Sequence, residues 1–170
     1  MNLQNIKGIG MQDTYNYLVD ALRAALTVFD ALLHDCTQEQ AQAARGGDEG
    51  WSVVEIICHL RDNEECVLER TGLMRDEADP FIAAYDQEQW ARERNYAADN
   101  LREALAAFVR LRTSHIAELA ALTPAEWERT GQHQERGRIT ISNQTLRVVC
   151  HDTIHAAQLS RQLGQTSALP

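Results

Sequence analysis

Apolar side chains recur every three to four residues along four long stretches of the chain. The first takes in Tyr15, Leu18, Val19, Leu22, Leu26, Phe29 and Leu33. That spacing places them on one face of an α-helix, predicted over about residues 12–35 and closed by His34, where a cation suits the helix dipole. The second stripe runs through Ile56, Leu60, Val67 and Met74 and predicts a helix over about 52–78. Its start is marked by Ser52 and Glu55, an S-x-x-E capping box, with Trp51 and Ile56 placed as a hydrophobic staple. Asp79-Pro80 ends it, because a residue before proline is disfavoured in helical conformation. The third, over about 95–122, turns Leu101, Leu105, Phe108, Val109, Ile116 and Leu119 inward. The fourth, over about 141–163, is capped by Thr140 and carries Leu146, Val149, Ile154 and Leu159.

The intervening segments break the helical period. RGGDEG, residues 45–50, reads as a glycine-rich break. Residues 81–94, with Trp90, read as a connection long enough to cross the end of a bundle. Thr123-Pro124-Ala125-Glu126 supplies an N-cap, a proline at N1 and a glutamate at N3, and predicts a short helix over about 124–129. TGQHQERGR, residues 130–138, reads as a loop with His133 in solvent. No run alternates as a strand should, and the tail GQTSALP should fray. These elements predict an all-α fold, a four-helix bundle with long connections, in one domain over residues 1–170.

Charge and composition narrow the partners. The chain has 25 carboxylates against 16 Lys and Arg, which opposes the basic footprint a nucleic acid requires and, more weakly, an anionic membrane surface. No apolar run approaches the roughly 20 residues of a membrane span. MNLQNIKGIGMQD lacks a signal-peptide apolar core, so a cytoplasmic location is expected. Cys36, Cys58, Cys66 and Cys150 form no C-x-x-C pair and are expected as buried small side chains.

The candidate chemistry lies in residues 139–162. His151 and His155 stand four apart on the predicted last helix, one turn above each other on one face. Two imidazoles so spaced can grip one metal ion, and a third ligand must come from elsewhere. His59 is the best candidate, although a histidine on such a face also serves as a hydrogen-bonded core residue, and the pattern leaves both roles open. Zn, Ni and Fe suit neutral imidazole, and three such ligands leave a coordination position free for chemistry. Gln158, on the same face as both histidines, can orient a ligand, touch substrate or bond within the core. The string HDTIH has the spacing of the zinc-protease motif, but Asp152 stands where the glutamate base would be; Asp152 reads better as a salt-bridge or supporting group. Arg112 falls on the third apolar stripe and needs an anionic partner, either a carboxylate at the core edge or a substrate anion. His115 is read as structural.

Together, W-S-x-x-E-x-x-x-H-L at Trp51–Leu60, TPAEW, the G-x-x-T ending at Thr140 and H-D-x-x-H-x-x-Q at His151–Gln158 resemble the DinB-like (DinB/YfiT) family. The likeness runs from the first helix to about Gln162. It implies a four-helix bundle with a divalent metal held by one histidine from the second helix and two from the fourth, here His59, His151 and His155. It also implies a homodimer. Relatives of this kind include metal-dependent thiol transferases and isomerases, and some were assigned as hydrolases. The resemblance therefore points first to a thiol transferase acting on a small-molecule thiol and an electrophile. A hydrolase using metal-activated water and a non-catalytic metal-binding stress module are the alternatives. The family name refers to induction by DNA damage and implies no DNA binding.

Overall fold

The computed structural model describes residues 10–47 and 50–164. In chain order the helices are α1 (Met11–Leu33), α2 (Gln38–Ala43), α3 (Val53–Asp76), α4 (Gln87–Glu93), α5 (Leu101–Ala121), α6 (Pro124–Trp127) and α7 (Ile141–Gln162). Five short strands are interspersed: β1 (Arg45–Gly46), β2 (Trp51–Ser52), β3 (Phe81–Ile82), β4 (Thr130–His133) and β5 (Gly137–Thr140). The long helices α1, α3, α5 and α7 are the four expected from the apolar stripes. Each of α1 and α3 packs against both α5 and α7, so the bundle runs α1–α5–α3–α7 around its axis. The tail from residue 165 onward and the acidic pair of RGGDEG lie outside the described residues.

Local chemistry explains most helix ends. Ser52 accepts from the Glu55 backbone N–H, and the Glu55 carboxylate accepts from the Ser52 N–H at 2.8 Å, closing the expected capping box. Thr123 and Glu126 do the same for α6. Helix α5 begins six residues later than its stripe suggested. Asn95 takes a left-handed backbone with φ of 51°, residues Tyr96–Ala98 form a 3₁₀ turn, and the Asn100 side chain caps the Arg102 and Glu103 amides. The connection over 81–94 likewise holds β3 and α4, and α2 has its own capping box from Thr37 and Gln40.

The main correction concerns residues 130–138. They are no loop but the hairpin β4–β5, antiparallel from Thr130 opposite Thr140 to His133 opposite Gly137. β3 adds to it in parallel, Ile82 beside His133. Gly131 belongs to the strand itself: a Cβ there would stand 2.5 Å from Ile82 Cδ1, so only glycine lets β4 lie this close to its neighbours. Gly137, at φ of +68°, turns the hairpin. Asp79 accepts from the Thr130 hydroxyl and the Gln132 amide, tying the hairpin to the end of α3.

Two apolar clusters fill the bundle. One centres on Phe29, Ile57, Phe108 and Leu159, with Phe29 and Phe108 edge to face at 5.6 Å. The other centres on Leu22, Met74, Trp127 and Ile141. Burial of each such side chain contributes roughly 1.5–3 kcal/mol. Between them, in sequence on each of α3, α5 and α7, sit buried Glu64, Arg112, His115 and Asp152. Polar residues hold much of the inner face of α7, which is why Leu146 and Ile154, expected inside, are 51% and 63% exposed. Val109, beside buried Phe108, also turns outward. Cys36 and Cys58 are buried, but Cys66 is half-buried and Cys150 exposed, against the expectation for all four.

Candidate metal centre

The three predicted histidines meet. His59 reaches in from α3, and His151 and His155 from successive turns of α7. Their ligand nitrogens lie within 4.8 Å of one another. His151 Nε2 stands 2.8 Å from His59 Nε2 and 3.1 Å from His155 Nε2. The Trp51 ring packs on His59 with centroids 5.1 Å apart.

The hydrogen bonds around His155 indicate which nitrogen carries the ring's lone pair. The Gln158 amide nitrogen donates to the Gly46 carbonyl at 3.3 Å. Its oxygen therefore faces His155 Nδ1, at 2.9 Å, and Nδ1 must donate to it. In the neutral ring the lone pair then falls on Nε2, the atom turned toward the other two histidines. One ring proton on His151 Nε2 cannot serve both short contacts along favourable directions, whereas a cation between the rings satisfies all three. Nitrogens sharing a tetrahedral ion at 2.0–2.1 Å sit about 3.3 Å apart, close to the two separations that His151 Nε2 makes. His151 Nδ1 is buried without a hydrogen-bond partner among the described residues. Burial first, and the neighbouring His155 second, lower the pKa of His59 to about 3; burial, His155 and then His59 lower that of His151 to about 2. Both rings are thus neutral at pH 7 in the state ligation requires. The donor set fits a divalent ion of the imidazole-binding kind.

Asp152 and Arg112, both possible site residues by sequence, pair with each other. Arg112 is fully buried. Its guanidinium donates to both Asp152 oxygens, at 2.6 and 3.2 Å, and lies 2.8 Å from Glu64. His115 Nδ1 bonds Glu64 at 2.7 Å while its Nε2 faces Thr71, the structural role expected of it. Burial by itself raises the Glu64 pKa, but the His115 hydrogen bond and the Arg112 charge outweigh it and hold the group at about 2. Arg112 is therefore no substrate anchor: its partners are carboxylates of the bundle. Gln158 orients His155, and neither Cys58 nor Cys150 joins the cluster.

His59 and His151 form one wall of a cavity of about 250 Å³. α3 contributes Asn63, Val67 and Arg70, α7 contributes Gln144, Arg147 and Val148, and the hairpin closes it with His133, Glu135 and Arg136. His133 is only 4% exposed, contrary to the sequence reading, because β4 alternates and turns Gly131 and His133 inward. Its Nδ1 accepts from the Glu135 N–H at 3.2 Å. Burial, then Arg136 and Arg70, push its pKa below the usual imidazole value. Tyr85 donates to Asn63 Oδ1 at 2.9 Å. Arg70, Arg136 and Arg147 escaped the sequence reading. Arg147 was accessible to it, standing four residues before His151 on the same helical face; the other two reach the cavity only through the fold.

A sequence model of the DinB superfamily matches residues 21–159, most of the chain. The chain belongs to the DinB superfamily. Within it, 127 residues are 30% identical to the "Putative metal-dependent hydrolase OB0782" of Oceanobacillus iheyensis, covering 74% of this chain and 72% of that one. Over 121 residues the chain is 29% identical to the "Putative metal-dependent hydrolase YfiT" of Bacillus subtilis, covering 69% and 68%. The solved structure of YfiT, described as "a probable metal-dependent hydrolase with an unusual four-helix bundle topology", superposes with a TM-score of 0.81. It covers 93% of this chain and 91% of that one at 24% identity, and so confirms the bundle fold. No helix among the described residues is long and apolar enough to cross a membrane.

Proposed function

We propose that this DinB superfamily member is a divalent-metal-dependent transferase that joins a low-molecular-weight thiol to a small electrophile. His59, His151 and His155 hold one Zn, Ni or Fe ion. When bound there, the ion would supply Lewis acidity, enough to bring a thiol's pKa into the neutral range. The observation that carries the reading is the convergence of three imidazoles, two of them, His59 and His151, on the wall of a cavity in which the one lining carboxylate among the described residues is Glu135, at the hairpin turn.

A thiol ordinarily ionises near pH 8.5 and needs little help, whereas water starts from about 15.7. Hydrolysis also asks for a positioned acid or base to serve the leaving group. Asp152, adjacent to His151, is committed to Arg112. In the transfer, the thiol S–H bond and the bond from carbon to its leaving group break, and an S–C bond forms. With a halide, the proton and the halide ion pass to solvent; with an epoxide, the released ring oxygen stays on the product and takes up a proton. Val67 and Val148 supply apolar wall, and Trp51 shields His59. Because His133 Nδ1 accepts a backbone N–H, its neutral ring keeps a proton on Nε2, available to hydrogen-bond a bound molecule. Hydrolysis is the second reading, favoured by the names given to OB0782 and YfiT.

The test is a conjugation screen on metal-loaded protein, with small thiols against aryl halides and epoxides. Turnover that needs both thiol and metal and disappears in His155→Ala is the expected result. Thiol-independent release from esters or amides replaces transfer by hydrolysis. Absence of both, with metal only raising the melting temperature, leaves a binding module.

A further inference from the structure

The cavity beside the three histidines is basic in a chain whose net charge is −9. Three guanidiniums, Arg70, Arg136 and Arg147, line it with buried His133, against the single carboxylate of Glu135. They come from α3, the hairpin and α7, so no local charge run explains their meeting. Three other arginines of the bundle helices are neutralised: Arg112 has Glu64 and Asp152, Arg75 has Asp76 and Glu118, and Arg61 has Asp62 and Asp99. Among the described residues no carboxylate lies within 4.0 Å of the nitrogens of Arg70, Arg136 or Arg147. Arg70 is 8% exposed, its Nη2 donating to the Ala83 carbonyl at 2.6 Å and its guanidinium lying 5.6 Å from the centre of the Tyr85 ring. A buried guanidinium so fixed, with two more beside it, is a preorganised oxyanion receptor. The mutual repulsion leaves a mark: burial, then Arg147 and Arg70, depress the Arg136 pKa.

We infer that Arg70, Arg136 and Arg147 form an anion subsite that takes a carboxylate or phosphate group of the small molecule bound next to His59 and His151. The inference depends on the proposed function only for what happens at the histidine end. At about 250 Å³ the cavity lies just under the roughly 300–1,000 Å³ of sites for drug-sized ligands. The substrate is therefore a compact anion, its charged group held by the arginines and its reactive group toward the imidazoles. Glu135 at the hairpin disfavours an anionic neighbour less than the three arginines favour one, so selectivity is for net negative charge.

Calorimetric titration of the full-length, metal-loaded protein with succinate, inorganic phosphate and the neutral diamide of succinate tests this. Either anion should bind at least about tenfold tighter than the diamide, since hydrogen bonds to charged groups are worth about 1.5–3 kcal/mol. Arg136→Gln and Arg147→Gln, at exposed positions that leave the core intact, should each weaken the anion about tenfold. Arg138→Gln, on the same hairpin but outside the cavity wall, should not. Equal binding of anions and diamide overturns the inference. So does anion binding that survives both cavity substitutions, which would place the anion on the metal alone. Loss of anion binding in the variants together with a negative thiol screen would sink the transferase reading and leave the subsite standing; the reverse result would do the opposite.

Discussion

Arg112 and Arg147 belong to the same bundle, yet their surroundings are opposite. Arg112 sits between two helices' carboxylates with no exposed surface, its charge matched by Glu64 and Asp152. Arg147 projects from α7 onto the cavity with no carboxylate in ion-pair range among the described residues. A matched buried charge fixes how elements pack, because removing either partner strands the other in a low dielectric. An unmatched cluster facing an open cavity contributes little to folding and waits for a partner from outside. The same residue type thus serves architecture at one level of the bundle and recognition at the next.

Among the substitutions, the largest effect should come from the matched side. Arg112→Met leaves Glu64 and Asp152 buried without their cation and should cost about 3–5 kcal/mol in urea unfolding; a change under 1 kcal/mol would show that the network carries no such weight. Acid should act next, on metal-free protein. His59 and His151 have folded pKa values of about 3 and 2, below the unfolded value of 6.5. Protons therefore bind the unfolded chain first, and the stability these rings contribute above pH 6.5 is lost as pH falls toward 3. Each ring adds up to about 1.4 kcal/mol per pH unit. Glu64, lowered from 4.5 to about 2, adds a second loss over that lower window. A urea midpoint that stays level from pH 7.5 to 4 contradicts this. Gln158→Ala frees the His155 ring and should weaken metal binding about 10- to 100-fold, read by competition with a chelator, while an unchanged affinity would reduce Gln158 to packing. Smallest of all, Arg147→Gln should shift stability by less than about 0.5 kcal/mol; a loss above 1 kcal/mol would erase the contrast with Arg112.

What the sequence exposed and what it hid follow from the range of the interactions. The four long helices are local objects, written in the stripes from Tyr15 to Leu33 and from Ile56 to Met74 and in the Ser52–Glu55 cap. The pairing of His151 with His155 is equally local, a matter of helical pitch. His59 needed the bundle to bring α3 against α7. The hairpin was hidden because its glycines, Gly131 and Gly137, read as breakers: one is a strand residue chosen for close approach to Ile82, the other the turn. With the hairpin went the burial of His133 and the arrival of Arg136 at the cavity. Thr37 and Gln40 carried a legible capping box that the polar surroundings of α2 masked.

The proposal that three imidazoles hold one divalent ion is tested most directly by X-ray absorption at the metal edge of the loaded protein. Three imidazole nitrogens per ion, at one ion per chain, falling to two in His155→Ala, is the predicted result. Fewer than three imidazoles in the unaltered protein, or a spectrum that His155→Ala leaves unchanged, would contradict it.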